Sequence, residues 1–144
     1  MGSGDSTPQD ETGEALRTDA NVAFQCIFHV VWCPQYRAPV IEGAVEHRLK
    51  EIIFDVAEEK GASLQSVHTL PDRVYVVLEV GPQLGVHRLV KAMKARSAAL
   101  LREEYPSLRS RLPSMWTNSY LVATAGSGAS PSLVDHYVGQ QKGR

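Results

Sequence analysis

The stretch PDRVYVVLEV, Pro71–Val80, constrains the fold more than any other part of the chain. β-Branched and apolar residues alternate here with a two-residue period, the signature of a strand. Strand side chains point alternately to opposite faces. Val74, Val76, Leu78 and Val80 therefore share one face, and Arg73, Tyr75, Val77 and Glu79 share the other. The first row is fit for a core. The second sets a guanidinium, a phenol and a carboxylate side by side, so the sheet needs different partners on its two faces.

The rest of the chain divides around this strand. Ala23–Cys33, AFQCIFHVVWC, reads as a central strand, apolar on both faces, and Pro34 and Pro39 break the segment after it. Ala44–Lys60 is a predicted helix with Val45, Leu49, Ile52, Ile53 and Val56 at helical spacing, closed by Gly61. Leu64–Leu70 is a second strand, and Pro71-Asp72 turns it into the third. Val86–Glu104 is a second helix. Its inner stripe holds Val86, Leu89, Val90, Met93, Ser97, Leu100 and Leu101, and its outer stripe Arg88, Lys91 and Lys94. Pro106–Pro113 reads as a basic loop carrying Arg109 and Arg111. Met115–Thr124 reads as a fourth strand, Ala125–Ser130 as a Gly-rich hinge, and Pro131–Gln141 as a short helix capped by Ser130.

The resulting order, β-α-β-β-α-β plus a tethered C-terminal helix, predicts an α+β fold. Two helices cover one face of an antiparallel sheet and the last helix covers the other. The 144 residues suffice for one domain. Of 15 Lys and Arg and 16 Asp and Glu, residues 1–21 hold one base and five acids. Residues 1–21 are thus expected to be a disordered acidic tail, and residues 22–144 a mildly basic domain with fourteen bases against eleven acids. No apolar run is long enough to span a membrane, and no signal pattern opens the chain, so a cytoplasmic protein is expected. Cys26 and Cys33 stand at opposite parity on one predicted strand and read as reduced, buried thiols.

Several side chains are candidates for chemistry. Tyr137 and Gln141, four apart on the last helix, share a face. Tyr137 reads either as a nucleophile or, from spacing alone, as a ring packed under the sheet with its hydroxyl in water. Arg73 and Tyr75 suit either a phosphate and a base of single-stranded DNA or a cation–π pair on a half-exposed sheet. Arg88, Lys91 and Lys94 form a cationic or merely solvated helix face. His29 reads as a satisfied core histidine, not a ligand. His68, His87 and His136 have no metal-ligand spacing among themselves.

Four segments, HVVWCPQYRAPV, LPDRVYVVLEV, MWTNSYLVATAG and VDHYVGQQ, together resemble the single-tyrosine HUH transposases of the smallest bacterial insertion sequences, the TnpA family. The resemblance runs from about Phe24 to Lys142. It implies a homodimer that cuts and rejoins single-stranded DNA at hairpin-bearing element ends through a 5′-phosphotyrosine. Tyr137 would be the nucleophile. Mg²⁺ or Mn²⁺ would be held by two histidines of a Pro-Asp-His-hydrophobic-His strand and a helical Gln. By position the Gln is Gln141, but the strand reads Pro71-Asp72-Arg73-Val74-Tyr75. A guanidinium cannot be deprotonated to bind a metal, and a phenol is a poor divalent ligand at neutral pH. The expectation is therefore no metal cofactor and impaired strand transfer. DNA contacts would come from Arg73, Tyr75, Arg88, Lys91, Lys94, Arg109 and Arg111. The alternative is an inactive, repurposed hairpin-binding protein.

Overall fold

A computed structural model of the chain describes residues 17–19, 22–24, 26–124 and 131–144. The elements are β1 (Arg17–Asp19), β2 (Val22–Phe24), β3 (Ile27–Trp32), α1 (Gly43–Lys60), β4 (Ser63–Leu70), β5 (Arg73–Glu79), α2 (Val86–Glu104), α3 (Pro106–Arg111), β6 (Leu121–Thr124) and α4 (Pro131–Gln140). Strands β4-β5-β3-β6 form an antiparallel four-stranded sheet, and β1 and β2 a separate two-stranded one. The predicted α+β class and its order of main elements are those of the structure.

The alternation of β5 divides the molecule as expected. Val74, Val76 and Leu78 are fully buried with Val30 and Trp32 of β3, beneath α1 and α2. Leu49, Ile52, Ile53 and Val56 of α1 and Leu89, Val90, Met93 and Leu101 of α2 complete this core. Gly61 ends α1 at φ 76°, a left-handed conformation that a Cβ disfavours. Paired Arg–carboxylate contacts lash α1 to α2. Arg48 Nε donates to Glu104 Oε1 at 2.9 Å, and Arg96 Nη1 to Glu59 Oε1 at 2.7 Å. These pairs are exposed, so the apolar stripes, not the charges, carry the packing.

On the opposite face, Val134 and Val138 of α4 lie against Val31, Cys33 and Leu121, with the rings of Tyr75 and Tyr137 beside them. The expected cover for the second face is in place. Among the described residues no helix is long and apolar enough to cross a membrane.

Several sequence expectations need correction. Ala23–Cys33 is not one strand. The partner strand β5 ends at Glu79, and the last link is Val80 N–H to the Cys26 carbonyl at 3.2 Å. Upstream of it the chain loses that ladder, and Val22–Phe24 pair with Arg17–Asp19 instead. Arg17–Asp19 fall within the stretch expected to be a disordered acidic tail; residues 1–16, 20 and 21 lie outside the described residues, as do the hinge Ala125–Ser130 and the capping role of Ser130. Pro106–Pro113 is not a loop. Pro106 opens α3, whose Leu108 is buried in the main core, leaving Arg109 and Arg111 exposed.

The fourth strand is only Leu121–Thr124. Proline at position 34 cannot donate to a ladder, so β3 pairs with the chain beyond it through an isolated bridge, Pro34 to Trp116. Residues 115–120 are irregular but largely buried, their carbonyls taken up by Gln35 N–H and by Lys94. Finally, Cys26 is only half-buried, whereas Cys33 is fully buried; both are free thiols.

Truncating Ile53, fully buried, to alanine should cost about 2–5 kcal/mol, because its cavity cannot collapse in a two-helix layer. Phe54, its neighbour, is 51% exposed, and Phe54→Ala should cost under about 1 kcal/mol. Urea unfolding of the two variants measures both; equal losses would contradict this placement of α1.

Candidate functional site

Tyr137 sits at the centre of a polar network on the second face. Its hydroxyl is 3.0 Å from Ser119 Oγ. Ser119 Oγ also donates to Gln141 Oε1 at 3.2 Å, and the Gln141 amide N–H reaches the Tyr137 carbonyl at 3.5 Å. A serine hydroxyl has one proton, and an amide oxygen only accepts. With that proton on Gln141, the phenol must donate to Ser119. Burial pushes the Tyr137 phenol up, while the Ser119 hydrogen bond works the other way; the net shift is upward. The group is a neutral phenol at neutral pH, oriented by a serine. Gln141 is 1% exposed and follows the last turn of α4.

The backbone that carries Ser119 is held by Lys94. Its Nζ donates to the Thr117 carbonyl at 2.8 Å and the Ser119 carbonyl at 3.0 Å. Lys94 is therefore not on the solvated outer stripe. A helix advances about 100° per residue, so each three-residue step from Arg88 drifts back by about 60°. By position 94 the stripe has come round towards Val90 and Ser97. Burial lowers the Lys94 ammonium from 10.5 to about 8. Arg88 and Lys91 are exposed, as expected.

Arg73 is tied to carboxylates. Its Nε donates to Asp72 Oδ1 at 3.0 Å, and its Nη1 lies 3.7 Å from Asp135 Oδ1 on α4. Asp72 also accepts from Arg37 Nε at 2.8 Å. Burial works to raise the Asp72 carboxyl, but the hydrogen bond and charge of Arg73, with the charge of Arg37, outweigh it and hold the group below its ordinary value. Arg37 and Tyr36 both have left-handed backbone, φ 55° and 60°, a strained pair that the ion pair to Asp72 helps to hold.

Tyr75 is bonded through its hydroxyl to His29 Nδ1 at 2.8 Å, the rings edge to face at 5.9 Å. His29 is thus a satisfied histidine within the sheet, as expected, though half-buried and not fully in the core. Burial raises the Tyr75 phenol. Arg73 and Tyr75 also line an open concavity of about 430 Å³ with His68, Thr69 and Leu70.

These donors do not fit a divalent metal. Position 73 offers a cation already shared by two carboxylates, position 75 a protonated phenol committed to a histidine, and Gln141 an amide oxygen already accepting from Ser119. Among the described residues no group of three His, Cys, Asp or Glu side chains is placed to hold a metal ion.

The structure brings Tyr75, Tyr137 and Gln141 to one face, with Arg73 joined to it through Asp135 and Lys94 through Ser119. Arg109 and Arg111 belong to the helical layer, on α3. Sequence reasoning missed Ser119, Arg37, Asp135 and the clamping role of Lys94. The first three carried no spacing that linked them to Tyr137 or Arg73; the last was visible as drift in the three-residue stripe.

A small antiparallel sheet, layered with two helices and closed on its other face by a tyrosine-bearing helix, defines the class to which known proteins can be compared. A family model described as "Transposase IS200 like" matches residues 22–141. The ISDra2 transposase TnpA of Deinococcus radiodurans is 31% identical over 120 residues, 82% of this chain and 86% of that protein. The transposase for insertion sequence element IS200 of Salmonella typhimurium is 23% identical over 113 residues, 77% of this chain and 74% of that protein. A crystal structure of a candidate transposase from Deinococcus radiodurans superimposes with TM-score 0.80 at 27% identity, over 89% of this chain and 99% of that one. A REP-associated tyrosine transposase bound to a REP hairpin shares the fold, with TM-score 0.51 at 10% identity, over 84% of this chain and 66% of that one. The chain belongs to the IS200-like transposase family.

The Lys94 ammonium gives a pH test. Below about pH 8 it is charged in both folded and unfolded chains, and its burial counts against the fold. Between about 8 and 10.5 the folded chain sheds the proton first, so this group makes stability rise with pH. The urea midpoint of wild type minus that of Lys94→Met should therefore increase over that window. A flat difference would mean that Lys94 is not buried against these carbonyls.

Proposed function

We propose that this chain binds single-stranded and hairpin DNA at insertion-sequence ends, with Tyr137 as its strand-transferring nucleophile working at reduced efficiency. The observation that carries the reading is Tyr137 itself. In a chain of the IS200-like family, α4 sets this phenol on the sheet's second face, oriented by Ser119 and joined through Asp135 to Arg73. Membership of the transposase family supports a DNA substrate, and the relative solved with a REP hairpin makes a hairpin the natural probe.

The chemistry asked of Tyr137 is a transesterification. The phenol oxygen attacks a backbone phosphorus, a P–O bond to Tyr137 forms, and the bond to the 3′-oxygen breaks. The phenol proton leaves by way of Ser119 and the departing oxygen gains one, giving a 5′-phosphotyrosine and a free 3′-OH. In HUH enzymes a divalent metal neutralises the phosphate. The donors at Arg73, Tyr75 and Gln141 do not suit one. Arg73 is the candidate cation for the phosphate, provided it exchanges Asp135 for the DNA. That exchange also loosens α4, since the same contact ties the helix down.

The second reading, a hairpin-binding protein without strand transfer, is favoured by one observation. The donors of the expected metal site are already committed to partners within the protein. We further propose a homodimer, the arrangement expected of the family.

Incubation with a hairpin-bearing single strand should give a low yield of covalent complex on denaturing gels, absent in Tyr137→Phe and unaffected by chelator. Its rate should climb with pH through the neutral range, because the attacking phenolate forms from a phenol whose pKa is raised by burial. Tight hairpin binding with no adduct would establish the binding-only reading, and an adduct requiring Mg²⁺ would overturn the metal-free one. Calorimetry with Mn²⁺ should detect no saturable site. Sedimentation at micromolar concentration should give a dimer, and a clean monomer would remove that proposal.

A further inference from the structure

The irregular segment 114–120 has a second side. Away from Tyr137, it forms with α2 an open concavity of about 440 Å³, lined by His87, Lys91, Lys94, Trp116, Asn118 and Tyr120 among others. No Asp or Glu lines it. Its cations are therefore uncompensated from within, and α2 carries no acid before Glu103.

The aromatic part is fixed. His87 Nδ1 and Tyr120 OH are hydrogen-bonded at 2.8 Å, and the two rings stack at 5.9 Å with 24° between their planes. Lys94 Nζ lies 6.0 Å from the Tyr120 ring centre while it holds the carbonyls of Thr117 and Ser119. This wall is a rigid shelf, with the exposed His87 as its outer ring. Facing solvent beside it is Lys91, exposed and without an ion pair among the described residues. Asn118, also exposed, offers both donor and acceptor.

A fixed π surface, a free ammonium one step away and an amide at the rim are the complement of a nucleotide: base, phosphodiester and base edge. The shelf is continuous with the tyrosine, since Ser119 joins the Lys94 clamp on one side to the Tyr137 hydroxyl on the other.

We propose that this concavity is a nucleotide subsite on the path of single-stranded DNA, a phosphodiester meeting Lys91 and a base lying against the His87–Tyr120 pair. It rests on the DNA-binding reading above and extends it to residues outside the tyrosine face. An acidic peptide would use the charge alone, whereas a nucleotide also uses the rings, so the two sets of substitutions separate these partners.

The full chain is titrated by fluorescence anisotropy with a fluorescein-labelled oligothymidylate and, separately, with a labelled blunt DNA hairpin. His87→Ala should weaken oligothymidylate binding roughly 5- to 100-fold, the loss of one stacked base, and leave the blunt hairpin nearly unaffected. Lys91→Gln should lower the slope of log affinity against log salt by about 0.7, the value for one single-strand phosphate. Lys60→Gln, the same charge change at the end of α1, should not. Both residues are exposed, so neither substitution threatens folding. Wild-type affinity and slope in both variants would overturn the subsite while leaving the DNA-binding reading intact. A loss with Lys91→Gln alone would overturn it in favour of a charge footprint, and equal losses on the blunt hairpin would also overturn it. A wild-type chain that binds neither probe would remove the DNA-binding reading and the subsite with it.

Discussion

The antiparallel pairing of β3 with β5 is the interaction on which the rest of this molecule depends. Its register, Val30 opposite Val76 and Val31 opposite Tyr75, puts one wholly apolar row on each strand towards α1 and α2. The other row is mixed: His29, Val31 and Cys33 beside Arg73, Tyr75 and Val77. A one-residue slip would send Arg73 and Tyr75 into the helical core and Val74 and Val76 under α4. The buried layer thus fixes the register, and the register determines which polar groups face the tyrosine helix. Stability and site share the same ladder.

The second face is held more lightly. It contains two buried valines of α4, an Arg73–Asp135 contact of 3.7 Å to a carboxylate 76% exposed, and the Ser119 hydrogen bonds. An exposed ion pair of that length contributes about 0–1 kcal/mol. The helix that carries Tyr137 is accordingly the least firmly attached element of the sheet layers. That suits the role proposed for Tyr137. The firm part is the serine it leans on, because Lys94 pins the Thr117 and Ser119 carbonyls of the irregular 115–120 segment. Charge is used in two ways across the molecule. Lys94 and Arg73 are consumed in holding the protein together, while Lys91, Arg88, Arg109 and Arg111 remain exposed.

The identity of the family was legible because its motif residues are local: strand alternation, the Pro-Asp turn, the Trp-x-x-Ser-Tyr run and a Tyr and Gln at helical spacing. Spacing placed Tyr137 and Gln141 on one helix face, and the resemblance to the family singled them out as site residues. Ser119 was not singled out, although it lies within the Trp-x-x-Ser-Tyr segment. Nothing in a one-dimensional pattern indicates that a residue eighteen positions upstream will meet Tyr137. Asp135 was passed over for the opposite reason: an acid on an exposed helix face has no signature until Arg73 stands across from it.

What the sequence by itself determined is the set of elements whose burial is one-sided and periodic: both long helices, the β4–β5 hairpin, and the two faces of β5. Period and burial coincide there, so the residues report their own environment. What only the tertiary structure decided lies where backbone groups find partners far away in sequence. Val22–Phe24 left the central strand because β5 had ended. Residues 115–120 gave up a regular ladder because Pro34 could not donate to it. Lys94 turned inward because carbonyls there lacked donors. In each case a hydrogen-bonding group had to be satisfied by whatever the fold placed beside it, and that placement is a property of the assembled sheet, not of any segment within it.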